Sequence, residues 1–182
     1  MPVLLIAGLL GGIYFFMPSE YDKLMQEALI KKNENPTVTV FDDFPEPPMP
    51  DRNENEKTIL GIDIDKNGIR DDVDIWINRT GKNYNERMAL RQMARAEQFR
   101  LEVCDLNKYD KSSFACQKPA DALVCMKTFY QEKSSDYKEK IWNLTYSSRF
   151  RKNCLKFYEK NNCSFSFDLY KKEKACEFNL KR

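Results

Sequence analysis

All six cysteines of this chain, Cys104, Cys116, Cys125, Cys154, Cys163 and Cys176, lie in its last 79 residues. Their number is even, and the same stretch holds no glycine and a single proline, Pro119. Helices can therefore run long there, and sulfur cross-links rather than tight turns set how they pack. Six unpaired thiols in a reducing compartment are the bland alternative. An even set behind an export-like leader reads instead as a disulfide framework in an oxidising compartment. No C-x-x-C pair occurs, which disfavours a zinc cluster. The gaps from Cys104 to Cys125 and from Cys154 to Cys176 are nearly equal, a spacing that suits two cross-linked helical hairpins.

The leader is the uninterrupted apolar run from Val3 to Met17. It is short of the ~20 residues of a typical spanning helix but can be extended by its flanks. No small-x-small cleavage site closes it, which favours an uncleaved signal anchor over residues 1–19 against a cleaved signal peptide or a buried helix. The cysteine-bearing part then lies outside.

Charge is segregated although the total is only +2. Residues 104–182 hold 17 Lys and Arg against 10 Asp and Glu, so an acidic stem joins a basic head. In residues 20–57, Tyr21, Leu24, Met25, Ala28 and Leu29 have helical spacing, predicting a short helix just outside the bilayer. Pro36, Pro45, Pro47, Pro48 and Pro50 follow, and proline fixes φ and lacks an N–H, predicting an extended spacer. Thr37 to Phe41 alternates like a strand.

A Cys-rich domain is expected over residues 83–182, beyond a loop-and-helix segment over 58–82. Asn83 and Glu86 form a capping box that opens a helix to about Asp105, with Leu90, Met93, Ala94, Leu101 and Cys104 on one face. A second helix is expected from Pro119 through Leu123, Cys125, Met126 and Phe129. A third aligns Ile141, Leu144, Leu155 and Tyr158 from about Ser135, with a potential break at Thr145 to Ser148. A fourth aligns Phe165, Leu169, Cys176 and Leu180. The fold class is mainly α: anchor, Pro-rich linker, single calcium loop and a disulfide-stapled four-helix head.

One motif carries chemistry. Asp63-Ile-Asp65-Lys-Asn67-Gly68-Ile69-Arg-Asp71-Asp72-Val-Asp74 matches a twelve-position calcium loop. Asp63, Asp65, Asn67, Ile69 through its carbonyl, Asp71 and Asp74 fall at the ligand positions for one ion. Five carboxylates in twelve residues repel unless a cation lies among them, and Lys66 and Arg70 offset only part of that charge. Asp74 stands where an EF-hand has a bidentate Glu, and Glu56 to Ile62 makes a poor entering helix. These departures point to a structural site of weak affinity, with a Kd of about 10⁻⁴ to 10⁻³ M. The competing reading is a Lys-Asn-Gly turn before a helix whose first-turn aspartates complement its dipole. It leaves Asp63 and Asp65 unexplained.

From Pro47-Pro-Met-Pro-Asp51 through Thr58 to Asp74 the chain resembles a segment of uncharacterised bacterial envelope proteins that place a calcium loop after a proline-rich spacer. The loop alone is similar to dockerin and thrombospondin type 3 loops. The resemblance covers about 30 residues. It implies calcium and a bacterial envelope setting. Together with the apolar leader and the cysteines, that setting predicts a single-pass inner-membrane protein with its C-terminal domain in the periplasm.

Arg149, Arg151, Lys152, Lys156 and Lys160 with Phe150, Phe157 and Tyr158 make a basic, aromatic helix. It suits an acidic partner, a nucleic acid or anionic headgroups, against the simpler reading of a solvated face with core aromatics. An exported location disfavours nucleic acid. Asn78, Asn143 and Asn162 begin glycosylation-type triplets that matter only in a eukaryotic secretory pathway. Zero histidines exclude Ser/His/Asp and Cys/His catalysis and His-ligated zinc. The expected function is a non-enzymatic, membrane-tethered periplasmic binding protein with an acidic protein partner. An immunity or inhibitor protein against an envelope-acting toxin and an accessory subunit of an envelope complex both suit this build. A calcium-dependent envelope hydrolase is the competing class, and it requires an open metal position.

Overall fold

A computed structural model of the chain describes residues 17–105, 112–160 and 175–180. The apolar leader up to residue 16, Cys163, Phe165 and Leu169 lie outside the described residues. Among those described, no helix is long and apolar enough to cross a membrane. The protein is mainly helical.

Helix α1, Glu20–Glu34, starts at a capping box that the spacing of its apolar residues did not reveal. The Ser19 hydroxyl accepts from the Asp22 N–H, and the Asp22 carboxylate accepts from the Ser19 N–H. Leu24, Met25 and Ala28 are buried in the main core. The expected juxtamembrane helix is thus part of the body. Strands β1, Val40–Phe41, and β2, Phe44–Pro45, form a hairpin whose two turn residues, Asp42 and Asp43, have φ of 57° and 71°. Paired positive φ values are those of a type I′ turn, which matches strand twist. The strand expected over Thr37 to Phe41 is therefore present, shortened to two residues.

The acidic linker is not a free spacer. Asp42 accepts from Arg87 and Arg91, and Glu46 accepts from Arg79 at 2.8 and 2.7 Å. The Asp42 and Glu46 side chains are 3% and 2% exposed. Charge-assisted, bidentate contacts of this kind are strong enough to hold a chain that has few apolar residues of its own. Arg79 also donates to the carbonyls of Asn35 and Val38.

Helix α2, Arg52–Glu56, is capped by Asp51, whose side chain accepts from the Glu54 N–H. Helix α3, Asp71–Thr80, is buried from Asp71 through Arg79, with Trp76 at its centre. It packs against α1, against α4, Tyr84–Asp105, and against α6, Ser134–Thr145. Asn83 caps α4 as its spacing predicts: its side chain accepts from the Glu86 N–H at 3.0 Å, and the helix ends at Asp105. Leu90, Met93, Ala94 and Leu101 are buried along it.

Helix α5, Ser112–Tyr130, starts earlier than expected and carries Pro119 in its interior. An interior proline costs a helix about 3 kcal/mol. Burial of Ala120, Ala122, Cys125 and Met126 opposes that cost. After a 3₁₀ turn at Gln131–Lys133, α6 stops at Thr145 and α7, Arg149–Lys160, follows. The break arises from two buried charges. Arg70 donates to the Leu144 and Thr145 carbonyls, replacing the next turn of helix. Glu97, fully buried, accepts from Trp142 Nε1 at 2.8 Å, Tyr146 Oη at 2.7 Å and Arg100 at 3.1 Å. The expected fourth helix is not continued at its end, because Ala175 to Leu180 is non-helical. Gln92 holds that tail instead, donating to the Ala175 carbonyl and accepting from the Glu177 N–H.

Two disulfides staple the head, Cys104–Cys154 and Cys125–Cys176, and Cys116 is disulfide-bonded as well. The cysteine spacing leaves the pairing open, and the packing of the helices settles these two bridges. Helix α5 runs back along α4: Cys116 clusters with Val103, while Tyr130 Oη donates to the Glu86 carbonyl. Cys125 is therefore level with Gln92 and the C-terminal tail, far from Cys104 at the other end of α4. A sulfur bridge needs Cα atoms within about 7 Å, and Cys104 meets that condition with Cys154 at 5.9 Å.

Candidate metal centre

The loop from Asp63 to Arg70 joins the chain after α2 to the buried helix α3. Two left-handed residues shape it, Lys66 at φ 57° and Gly68 at φ 80°. They turn the backbone so that successive N–H groups face inward. Asp63 accepts from the N–H groups of Asn67 at 3.2 Å and Gly68 at 3.0 Å. Asp65 accepts from the Asn67 N–H and side-chain amide. Asp71, at the first turn of α3, accepts from the Ile64 N–H at 3.1 Å, while its own N–H donates to the Ile62 carbonyl at 2.9 Å. Both ends of the loop are thus latched to the start of α3.

The result gathers three of the predicted ligands. One carboxylate oxygen from each of Asp63, Asp65 and Asp71 lies within 4.8 Å of the others. Calcium holds its oxygens at 2.3–2.6 Å, so ligands on opposite sides of an ion are about 5 Å apart. The three oxygens therefore fit one coordination sphere without backbone movement. Asp71 is fully buried, and its Oδ2 is the one buried polar side-chain atom left without a hydrogen-bond partner among the described residues.

Asp74, the carboxylate expected at the twelfth position, is not one of the three. Asp74 accepts from Arg91 Nε at 3.0 Å through one oxygen and from the Asn67 amide at 3.2 Å through the other. A cation from α4 satisfies the position that an EF-hand gives to its bidentate Glu. Asn67 Oδ1 accepts from the Ile69 N–H at 2.8 Å, and the Ile69 side chain is in the core. Asp72 belongs to a different network. Arg70 grips it at 2.5 and 3.0 Å, and Tyr21 Oη and Asn55 Nδ2 donate to it at 2.8 and 3.1 Å. The dipole reading of Asp71, Asp72 and Asp74 thus assigns one role to three side chains that have three different sets of partners.

Electrostatics separate these carboxyls. Burial, then the nearby charges of Asp63 and Asp65, push Asp71 up to about 6 against the opposing Ile64 hydrogen bond. Burial and a hydrogen bond with Asp65 raise Asp63 as well. Asp72 is the reverse: burial would raise it, but the Arg70 charge and hydrogen bonds hold it below the usual carboxylate range. Asp42 is likewise held low by Arg87 and Arg91 despite burial.

A pH dependence follows. A carboxyl raised on folding binds its proton more tightly in the native state, so its stabilising contribution falls as pH rises from 3.8 to about 6. The lowered carboxyls, Asp42 and Asp72, lose their contribution only at more acidic pH. Without divalent cations, the protein should therefore be less stable at pH 7 than at pH 5, by on the order of 1–2 kcal/mol after solvent screening. Thermal melts in cation-stripped buffer at both pH values check this. Asp71→Asn should flatten the difference.

Two residues essential to the site carry no motif signal. Asn55 in α2 accepts from the Ile62 N–H at 2.9 Å, fixing the chain just before Asp63. Arg151, expected in a partner-binding surface, is instead fully buried. It donates to the carbonyls of Asn55 at 2.6 Å, Thr58 at 3.2 Å and Ile59 at 2.8 Å. Neither was recoverable from spacing, since 96 residues separate Arg151 from Asn55. Of the other expected partner residues, Arg149, Lys152 and Lys156 are exposed, and the Lys160 side chain is outside the described residues.

No protein-family model, curated protein or solved structure matches the chain.

Proposed function

We propose that this chain is a non-enzymatic, membrane-tethered binding protein of the bacterial envelope, whose head is braced by one calcium ion between Asp63, Asp65 and Asp71. The observation that carries the brace is a fully buried carboxylate, Asp71, that has one oxygen without a hydrogen-bond partner and is grouped with the carboxylates of Asp63 and Asp65. A buried anionic oxygen without a partner is costly, and a hard cation at that point removes the cost. The D-x-D-x-N-G order supports calcium over a bare acidic turn. Bound there, calcium supplies charge neutralisation and ties the loop to α3; Arg70 and Asp72, the next residues along, carry that order into α1, α2 and α6.

A hydrolase needs an open position on the metal beside a group that moves protons. The Asp71 carboxylate is fully buried at the start of α3, and the chain has no histidine to serve as that proton-moving group. Both favour a brace over catalysis. The exposed cations of α7, Arg149, Lys152 and Lys156, supply a surface for an acidic partner. The apolar run Val3 to Met17 supplies the tether.

Thermal melts of the full chain test the brace. At a Kd of about 10⁻⁴ M, 10 mM calcium adds roughly 2.7 kcal/mol of stability. A clear rise in Tm over chelator is expected for the wild type and little or none for Asp71→Asn. Equal melts with calcium and with chelator would remove calcium from the reading.

A further inference from the structure

A cleft of about 690 Å³ opens between the start of α1, α6 and α7. Its walls are aromatic and apolar, with Tyr21, Trp142, Tyr146 and Leu155, and Lys138, Lys152 and Lys156 also line it. Trp142 presents its ring face to Lys138, whose Nζ is 4.3 Å from the ring centroid. Lys152 and Lys156 lie one turn apart on the exposed face of α7. Two carboxylates also line the cleft, Glu20 and Glu139. Glu20 is engaged by Lys23 at 2.5 Å, which leaves three cations against Glu139. The cleft is therefore net positive above an apolar floor.

Its place in the chain identifies the occupant. Ser19 and Glu20 are on its wall, and Met17, two residues earlier, ends the apolar run and is 84% exposed. A chain tethered by that run holds this end of the body against the bilayer surface. Lysines with apolar stems and a half-buried tryptophan are the side chains that suit the boundary between headgroup and acyl chain. Phe150, 68% exposed at the start of α7, adds an apolar residue to the same helix.

We infer that this cleft binds the headgroup of an anionic phospholipid, with Lys138, Lys152 and Lys156 around the phosphate and Trp142 against the glycerol and upper acyl chain. The inference rests on the tethered reading and names the acidic partner of the α7 surface as the membrane itself. Basic residues near a membrane attract anionic lipid within a Debye length. The cleft converts that general attraction into a site for one molecule.

The test uses the full chain in neutral detergent micelles, titrated with short-chain phosphatidylglycerol and, separately, short-chain phosphatidylcholine. Intrinsic fluorescence reports on Trp142, since Trp76 is sealed in the core. A saturable change with phosphatidylglycerol is expected, at least tenfold weaker with phosphatidylcholine or with glycerol phosphate. The double substitution Lys152→Ala/Lys156→Ala, at two exposed positions, should weaken it at least tenfold while leaving the thermal melt unchanged. Equal responses to the two lipids, an undiminished response in the double variant, or equal competition by polyglutamate would overturn the inference. The tether is read independently, by whether alkaline carbonate leaves the full chain in the membrane, so the two ideas fail separately.

Discussion

Gly61→Ala should lower stability by about 4 kcal/mol. Gly61 has φ of +75°, a region that residues with a Cβ rarely adopt. Space forbids the Cβ as well. It would collide with Arg70 Cδ and come within 2.6 Å of Asn55 Oδ1 and 2.9 Å of Arg151 Nη2. The first is the stem of a fully buried side chain, and the other two already hold hydrogen bonds. None can move without releasing Asp72, the Ile62 N–H or the carbonyls of Asn55 and Thr58. Urea denaturation measures the loss. A change below about 1 kcal/mol would mean that the packing of Arg70, Asn55 and Arg151 around this residue is wrong. Gly68 is the instructive contrast. Its φ of +80° strains a substitution too, but a Cβ there meets only Arg95 at 3.6 Å, an ordinary contact. Gly68→Ala should therefore cost about 1–2 kcal/mol, from backbone strain alone.

Arg151→Ala is expected to cost about 3 kcal/mol. Three carbonyls and Ser147 Oγ lose their donor together, and truncation leaves a cavity under α7. Burial and the neighbouring Arg70 charge already pull Arg151 down to about 10, against the opposing charge of Asp72. The guanidinium is kept in that setting by its planar set of donors, which a lysine ammonium cannot reproduce. Arg151→Lys should accordingly recover less than half of the lost stability. Because Arg151 holds the segment leading into the aspartate loop, Arg151→Ala should also weaken calcium binding as measured by titration calorimetry. A variant of wild-type stability would restore Arg151 to the surface role its position in a basic helix implies. Arg149→Ala, on the exposed side of the same helix, should be within about 0.5 kcal/mol of wild type.

Arg149 is exposed and Arg151 buried on one helix, a difference that local sequence does not encode. Charge and aromatic content mark residues 149–160 as a basic helix, and the helix is there. Which of its cations face solvent depends on what α7 packs against, and that is the segment Asn55 to Ile59. The linker is similar. Proline content describes a chain that cannot form a helix or a central strand, but not whether its carboxylates find guanidinium groups on α3 and α4. In the aspartate loop, alternation and glycine placement identify Asp63, Asp65 and Asp71, which the fold does gather. Asp74 has the right spacing and a different partner because Arg91 reaches it from 17 residues further along the chain.

Local rules therefore determined much of this protein by themselves. The Asn83 cap, the extent of α4, the aspartate loop and the helical class depend on contacts within a few residues, where the free energy is set by neighbours in the chain. Only the tertiary structure decided which cysteines pair, where α6 ends, and whether Glu46, Asp72, Glu97 and Arg151 are solvated or buried. Each of those is settled by a group dozens of residues away in the chain. A buried charge is tolerated only when the whole fold delivers its hydrogen-bond partners.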